Sequence, residues 1–152
     1  MTPPDPLTAL DARVRRAIYD TFVEGAVPTR AGIADRLSIL PEGVETSYAR
    51  LADRHVIVRQ PDSGEVWMAM PFSAVPTAFR VHGPDTSWWA NCAWDALGIG
   101  AALASDVRIE TACHDCEASL VVTVDDGRVG GDQVVTHFAV QAAEWWRDIG
   151  FT

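Results

Sequence analysis

Trp88-Trp89-Ala90-Asn91-Cys92-Ala93-Trp94-Asp95-Ala96-Leu97 is an almost uncharged run holding three tryptophans, one thiol and one carboxylate. Residues three apart on a helix share a face. The run reads as the start of a helix from about Trp88 to Ala104, capped by Thr86 or Ser87. On that reading Cys92 sits in the second turn and Asp95 lies one turn later on the same side. Gly98 and Gly100 permit close approach of a neighbour but weaken the helix there. A thiolate ligates soft metals or attacks electrophiles, and a carboxyl beside it can carry a proton. Two such groups repel as anions, so if both are buried one stays protonated near neutrality. The competing reading is a cysteine that merely fills core space. Trp88 and Trp89, with His137 from a later segment, are candidates to line a pocket beside Cys92; the other tryptophans read as core.

Upstream, Leu7, Leu10, Val14, Ile18 and Phe22 recur with helical period to about Glu24, and Gly25 stops the helix. Thr29 caps a second helix with Ile33, Ala34 and Leu37 inward. Pro41 opens a third, running through Val44, Tyr48 and Leu51 to about Arg54. Val56–Arg59 and Val66–Met70 flank the turn Pro61-Asp62-Ser63-Gly64, a β-hairpin pattern. Three helices and a hairpin outline a winged-helix-like N-terminal domain over residues 1–80. Residues 81–152 then form a second, C-terminal domain carrying the Cys/Asp pair. Pro71 to Pro84 is a connection with strand character at Thr77–Val81.

Downstream, Val107–Thr111 and Glu117–Val124 read as strands joined by the tight turn Cys113-His114-Asp115-Cys116. Asp125-Asp126-Gly127 is the next turn. Val134–Val140 reads as a third strand, and Ala142–Ile149 as a short closing helix. The fold class is therefore α+β: a winged-helix-like three-helix unit with a hairpin, then a small α/β domain with a mainly antiparallel sheet.

Composition narrows the function. The chain has 152 residues and three cysteines, and all 12 basic residues are arginine. Residues 1–80 carry nine Arg against ten acids, a net of −1; residues 81–152 carry three against eleven, a net of −8. An acidic second half is a poor nucleic-acid surface. Glu42 and Glu45 early in the third helix would also face phosphates badly. No apolar run reaches the ~20 residues of a membrane span, and the Pro-rich start lacks the pattern of a signal peptide. The expectation is a cytoplasmic protein without membrane or nucleic-acid partners, whose odd cysteines serve as ligands or nucleophiles rather than staples. Cys113-x-x-Cys116 resembles half of a zinc knuckle. Cys92, His114 or His137 could complete it only by proximity in the fold. His137 reads first as a core histidine in its strand.

With these residues in place, the chain resembles the bacterial organomercurial (alkylmercury) lyase family. The likeness rests on Trp89-Ala90-Asn91-Cys92-Ala93-Trp94-Asp95-Ala96-Leu97, and on Val107–Cys113 leading into Ser119–Val124. The resemblance implies a lyase-like second domain with Cys92 as the thiolate ligand of mercury. Asp95 would carry the proton to the leaving carbon, and Cys113 would match a structural cysteine. It also implies no organic cofactor. The substrate would be a small molecule containing a soft metal, with cellular thiols as co-reactants. The family's second catalytic cysteine has no counterpart in Asp132–Phe138. Either Cys116, or failing that Cys113, supplies the second thiol, or the scaffold cleaves a related carbon–heteroatom bond. Two further readings stay open. One is a non-catalytic binder or sensor of Hg, Cu or Zn using Cys92, Cys113 and Cys116. The other is a winged-helix regulator with a ligand-binding second half.

Overall fold

Thr8 starts the first helix by accepting a hydrogen bond from the Asp11 N–H, while the Asp11 carboxylate accepts one from the Thr8 N–H. This reciprocal box satisfies two end groups that the helix itself leaves unpaired. The computed structural model describes residues 6–150. α1 spans Ala9–Val23, α2 Arg30–Leu37 and α3 Pro41–Asp53. Thr29 caps α2 through the Gly32 N–H, and Pro41 opens α3, as the sequence predicts. Val14, Ile18, Val44, Tyr48 and Leu51 from these helices are fully buried. Their i, i+4 and i, i+3 spacing puts them on single faces.

Asp11 has a second role. It is fully buried, and its carboxylate receives two hydrogen bonds from Arg50 of α3, each 2.9 Å long. Burial alone would raise its pKa. The Arg50 guanidinium and the Thr8 donors outweigh that and hold the carboxyl well below the usual range. A bidentate pair thus locks α1 to α3. The exposed face of α3 is also occupied: Glu45 bridges Arg30 and Arg59 at 2.6 and 2.7 Å.

The strands are β1 (Val58–Arg59), β2 (Val66–Ala69), β3 (Phe72–Ser73), β4 (Phe79–His82) and β5 (Ser87–Ala90). After helix α4 (Ala93–Leu103) come β6 (Val107–Ala112), β7 (Ser119–Asp125) and β8 (Arg128–Gly131). They form one eight-stranded antiparallel sheet in the order β1-β2-β3-β5-β4-β6-β7-β8. The class is α+β, as expected, and the sheet runs unbroken from the first hairpin to the last. Directly paired residues share a face. The row Trp88–Val81–Ile109–Val122 therefore crosses four strands on the buried side. The next row, Trp89–Arg80–Glu110–Val121, faces the other way, with Arg80 stacked 4.5 Å over Trp89. The buried side receives both the helical unit and α4. Phe22 of α1 stacks on Phe72 at 5.3 Å, and the Trp88 indole donates to the Phe22 carbonyl at 2.7 Å. At Gly100 a Cβ would lie 2.9 Å from Val107, so this position needs glycine for α4 to meet β6; at Gly98 the space is ordinary.

Two sequence expectations are corrected. The helix does not begin at Trp88: Ser87–Ala90 is a strand, and α4 starts at Ala93. Trp88 and Trp89 prefer pleated, half-buried positions, and the alternation Ser87-Trp88-Trp89-Ala90 has period 2 rather than 3.6. Val134–Val140 is not a strand either. The third strand of that region is the glycine-rich Arg128–Gly131, which follows the Asp125–Gly127 turn directly. Val135 is 94% exposed, so its apolar character reflects no core contact. The closing helix is a 3₁₀ turn over Ala142–Arg147.

Asp11→Asn should destabilise the protein by about 3 kcal/mol in urea unfolding, because it removes the buried Asp11–Arg50 ion pair. The depressed pKa makes this contribution complete above the unfolded-state value of about 4 and lost as pH falls below it. The stability gap between wild type and variant should narrow steadily as pH falls below about 4; a constant gap would refute the assignment.

Candidate active site

Cys92 is the N-cap of α4, not a second-turn residue. Its backbone is extended, and its Sγ accepts the Asp95 N–H at 3.4 Å. Asp95 is the third helical residue. The Cys-x-x-Asp spacing is thus a helix-capping arrangement in which a thiol stands where a hydroxyl is usual. The cap fixes the Sγ at the mouth of the helix, beside the Asp95 side chain. Asn91, the last residue before the cap, donates from Nδ2 to Asp95 Oδ2 at 3.0 Å and to the Phe72 carbonyl at 3.3 Å. Its Oδ1 is buried without a partner in the protein.

Burial raises the pKa of both groups. For Cys92 desolvation outweighs the Asp95 N–H, and the Asp95 charge adds to the rise. For Asp95 desolvation outweighs the hydrogen bonds from Asn91 and from the Cys92 thiol. A thiol that keeps its proton beside a carboxyl with raised proton affinity makes a pair ready to share one proton.

Both side chains line one cavity of about 190 Å³. Met68, Met70, Asn91 and Trp94 contribute from the sheet and the start of α4. Phe138, Trp145, Ile149 and Gly150 close it from the returning C-terminal segment. That segment is held on the β1–β2 side by Trp146, stacked on His55 at 3.9 Å. Trp94 is 69% exposed, an apolar ring at the rim.

The structure brings Cys92 and Asp95 together and leaves the other sequence candidates outside. Trp88 points into the core toward Phe22, and Trp89 lies on the opposite face of the sheet under Arg80, so neither lines the cavity. Strand alternation decides this. His137 is exposed, and its neighbour Phe138 takes the wall position. Cys113 and Cys116 lie in the turn between β6 and β7. The β5 end that leads to Cys92 and the β6 end that leads to Cys113 lie at the same side of the sheet, with β4 between the two strands. Neither lines the cavity, and among the described residues no three of His, Cys, Asp and Glu converge as a metal site. Asn91, Met68, Met70 and Phe138 were not legible as site residues. The signal for Asn91 was its position next to the cap, and for the methionines their i, i+2 spacing at the end of β2 and the turn after it.

The alkylmercury lyase (MerB) family profile matches residues 72–152, which include every wall of this cavity except Met68 and Met70. Among solved structures, the chain is similar to the mercury-bound form of MerB2, with a TM-score of 0.64 and 27% identity. The similarity covers 82% of this chain and 60% of that one, so the chain spans less than two thirds of the length of its structural relative. No curated protein matches it.

In contrast to Cys92, Cys113 is stabilised as a thiolate: N–H groups of Cys116 and Asp115 donate to it, and its pKa is lowered. Iodoacetamide should therefore alkylate Cys113 before Cys92 near neutral pH, with Cys92 catching up only in alkali. Peptide mass mapping across a pH series measures both rates; faster modification of Cys92 at neutral pH would contradict the assignment.

Proposed function

The chain belongs to the alkylmercury lyase family, and from that premise we propose that it cleaves the carbon–mercury bond of organomercurials by protonolysis at Cys92 and Asp95. The observation that carries the reading is the cap itself: one thiol and one carboxyl, placed side by side by the Asp95 N–H bond to the Cys92 Sγ, at the wall of an apolar cavity. Asp95 accepts the Cys92 proton as the thiolate forms its bond to mercury. Sulfur ligation weakens the carbon–mercury bond, and the Asp95 carboxyl returns the same proton to the departing carbon. The products are a hydrocarbon and Cys92-bound Hg²⁺. Asn91 orients Asp95 through its 3.0 Å hydrogen bond.

The second ligand distinguishes this chain. No other cysteine lines the cavity, where the remaining sulfur groups are the thioethers of Met68 and Met70. A neutral thioether is a soft but weaker donor than a thiolate. Small cellular thiols therefore complete the coordination of Hg²⁺, and two of them displace it from Cys92, returning a proton to the enzyme thiol. Met68, Met70, Trp94 and Phe138 suit an alkyl or aryl group on the metal.

Purified protein given an organomercurial and excess thiol should release the hydrocarbon, read by headspace gas chromatography. Cys92→Ser should abolish release, and Asp95→Asn should slow it by about 100-fold or more, the usual range for a lost proton carrier. Asn91→Ala should act more mildly and push the acid limb of the pH profile upward, because Asp95 loses a hydrogen bond that favours its charged form. No release by the wild type, or equal release by Cys92→Ser, overturns the proposal.

A further inference from the structure

The turn Cys113-His114-Asp115-Cys116 is unused by the chemistry at Cys92. It closes the β6–β7 hairpin, with the Cys113 N–H donating to the Ala118 carbonyl and the Glu117 N–H to the Cys113 carbonyl, both at 2.9 Å. Glu117 adopts a left-handed conformation, φ 57°, which lets the loop close. The Glu117-to-Cys113 bond closes the chain around both cysteines, so positions 113 and 116 stand three residues apart within one tight turn, and the neighbouring backbone N–H groups lower the proton affinity of Cys113. Cys116 is exposed and Cys113 partly so, neither in a disulfide. The turn is thus a preformed dithiol at the surface, not a pair of packing residues.

Its ligand number selects its cargo. Zinc in a structural site needs four donors in a tetrahedron. Among the described residues no third His, Cys, Asp or Glu joins these sulfurs in a metal-binding group. A soft cation content with two thiolates is the remaining class, and the acids Asp115 and Glu117 beside the turn favour positive charge over anions.

We propose that Cys113 and Cys116 form a surface chelate for a two-coordinate thiophilic cation, Hg²⁺ or Cu⁺, separate from the Cys92 site. Binding Hg²⁺ forms two S–Hg bonds and releases two thiol protons; no electron moves. The second sulfur binds intramolecularly, so the chelate resists competing monothiols that strip an isolated cysteine. The site does not depend on the activity at Cys92.

The test uses the full chain carrying Cys92→Ser, which leaves Cys113 and Cys116 as its only thiols. Mercuric chloride is added with excess glutathione, and native mass spectrometry follows the products. The expected species is one mercury per chain, heavier by mercury minus two hydrogens and free of glutathione. Adding Cys116→Ser should weaken retention on the order of 100-fold and leave mercury only as a mixed protein–glutathione complex. Cu⁺ should behave as Hg²⁺ does, and Zn²⁺ should not be retained. Mercury bound only with glutathione attached, equal retention after Cys116→Ser, or preferential Zn²⁺ retention each overturns the proposal. The double variant Cys113→Ser/Cys116→Ser, with Cys92 intact, should release hydrocarbon at the wild-type rate. Absence of hydrocarbon from the wild type would count against the lyase reading and not against the chelate.

Discussion

The short strand Ser87–Ala90 is the constraint on which the rest of the molecule depends. It lies inside the sheet, paired to β3 on one side and β4 on the other. Its alternation sends Trp88 and Ala90 into the core and Trp89 outward. The Trp88 indole then reaches the carbonyl of Phe22, 66 residues away, at the end of α1. A buried N–H left unpaired is costly, so this bond makes the docking of the helical unit specific as well as apolar. The same strand ends in Asn91 and Cys92, so the register that seats Trp88 also sets where the thiol points.

From that end the site is assembled by local rules. A chain leaving a strand to enter a helix needs an N-cap, and Cys92 supplies the acceptor. Asp95 falls at the third helical position, where a carboxylate is favoured by the helix end. Burial works in the opposite direction and raises both proton affinities. The balance leaves the pair with a proton to move rather than two opposed charges. Asn91 holds the carboxyl from the strand side, and the C-terminal segment covers the cavity from outside.

The two sulfur environments of the chain separate by the same physics. Cys92 is half-buried among apolar walls and keeps its proton. Cys113 stands in a turn whose backbone donors stabilise negative charge. One strand separates them, yet one suits proton transfer and the other suits holding a cation. Their difference follows from desolvation against hydrogen bonding, not from residue type.

The sequence by itself determined the three helices, the Thr29 cap and Pro41 start of the second and third, the hairpins of β1–β2 and β6–β7, and the pairing of Cys92 with Asp95. These depend on periodicity and on spacing of three residues, which are local. It misplaced the start of α4, because a Trp-Trp pair beside small residues satisfies either period until neighbouring strands claim it. It took Val134–Val140 for a strand, because β-branched residues mark strands only where a partner and a core exist. Which aromatic rings wall the cavity was decided by tertiary structure alone. Trp88 and Trp89 are adjacent in sequence but are drawn to opposite faces, while Phe138, Trp145 and the β2-side methionines arrive from remote segments. The separation of Cys92 from Cys113 and Cys116 is likewise a matter of strand order: β4 pairs between β5 and β6, and no local pattern encodes that choice.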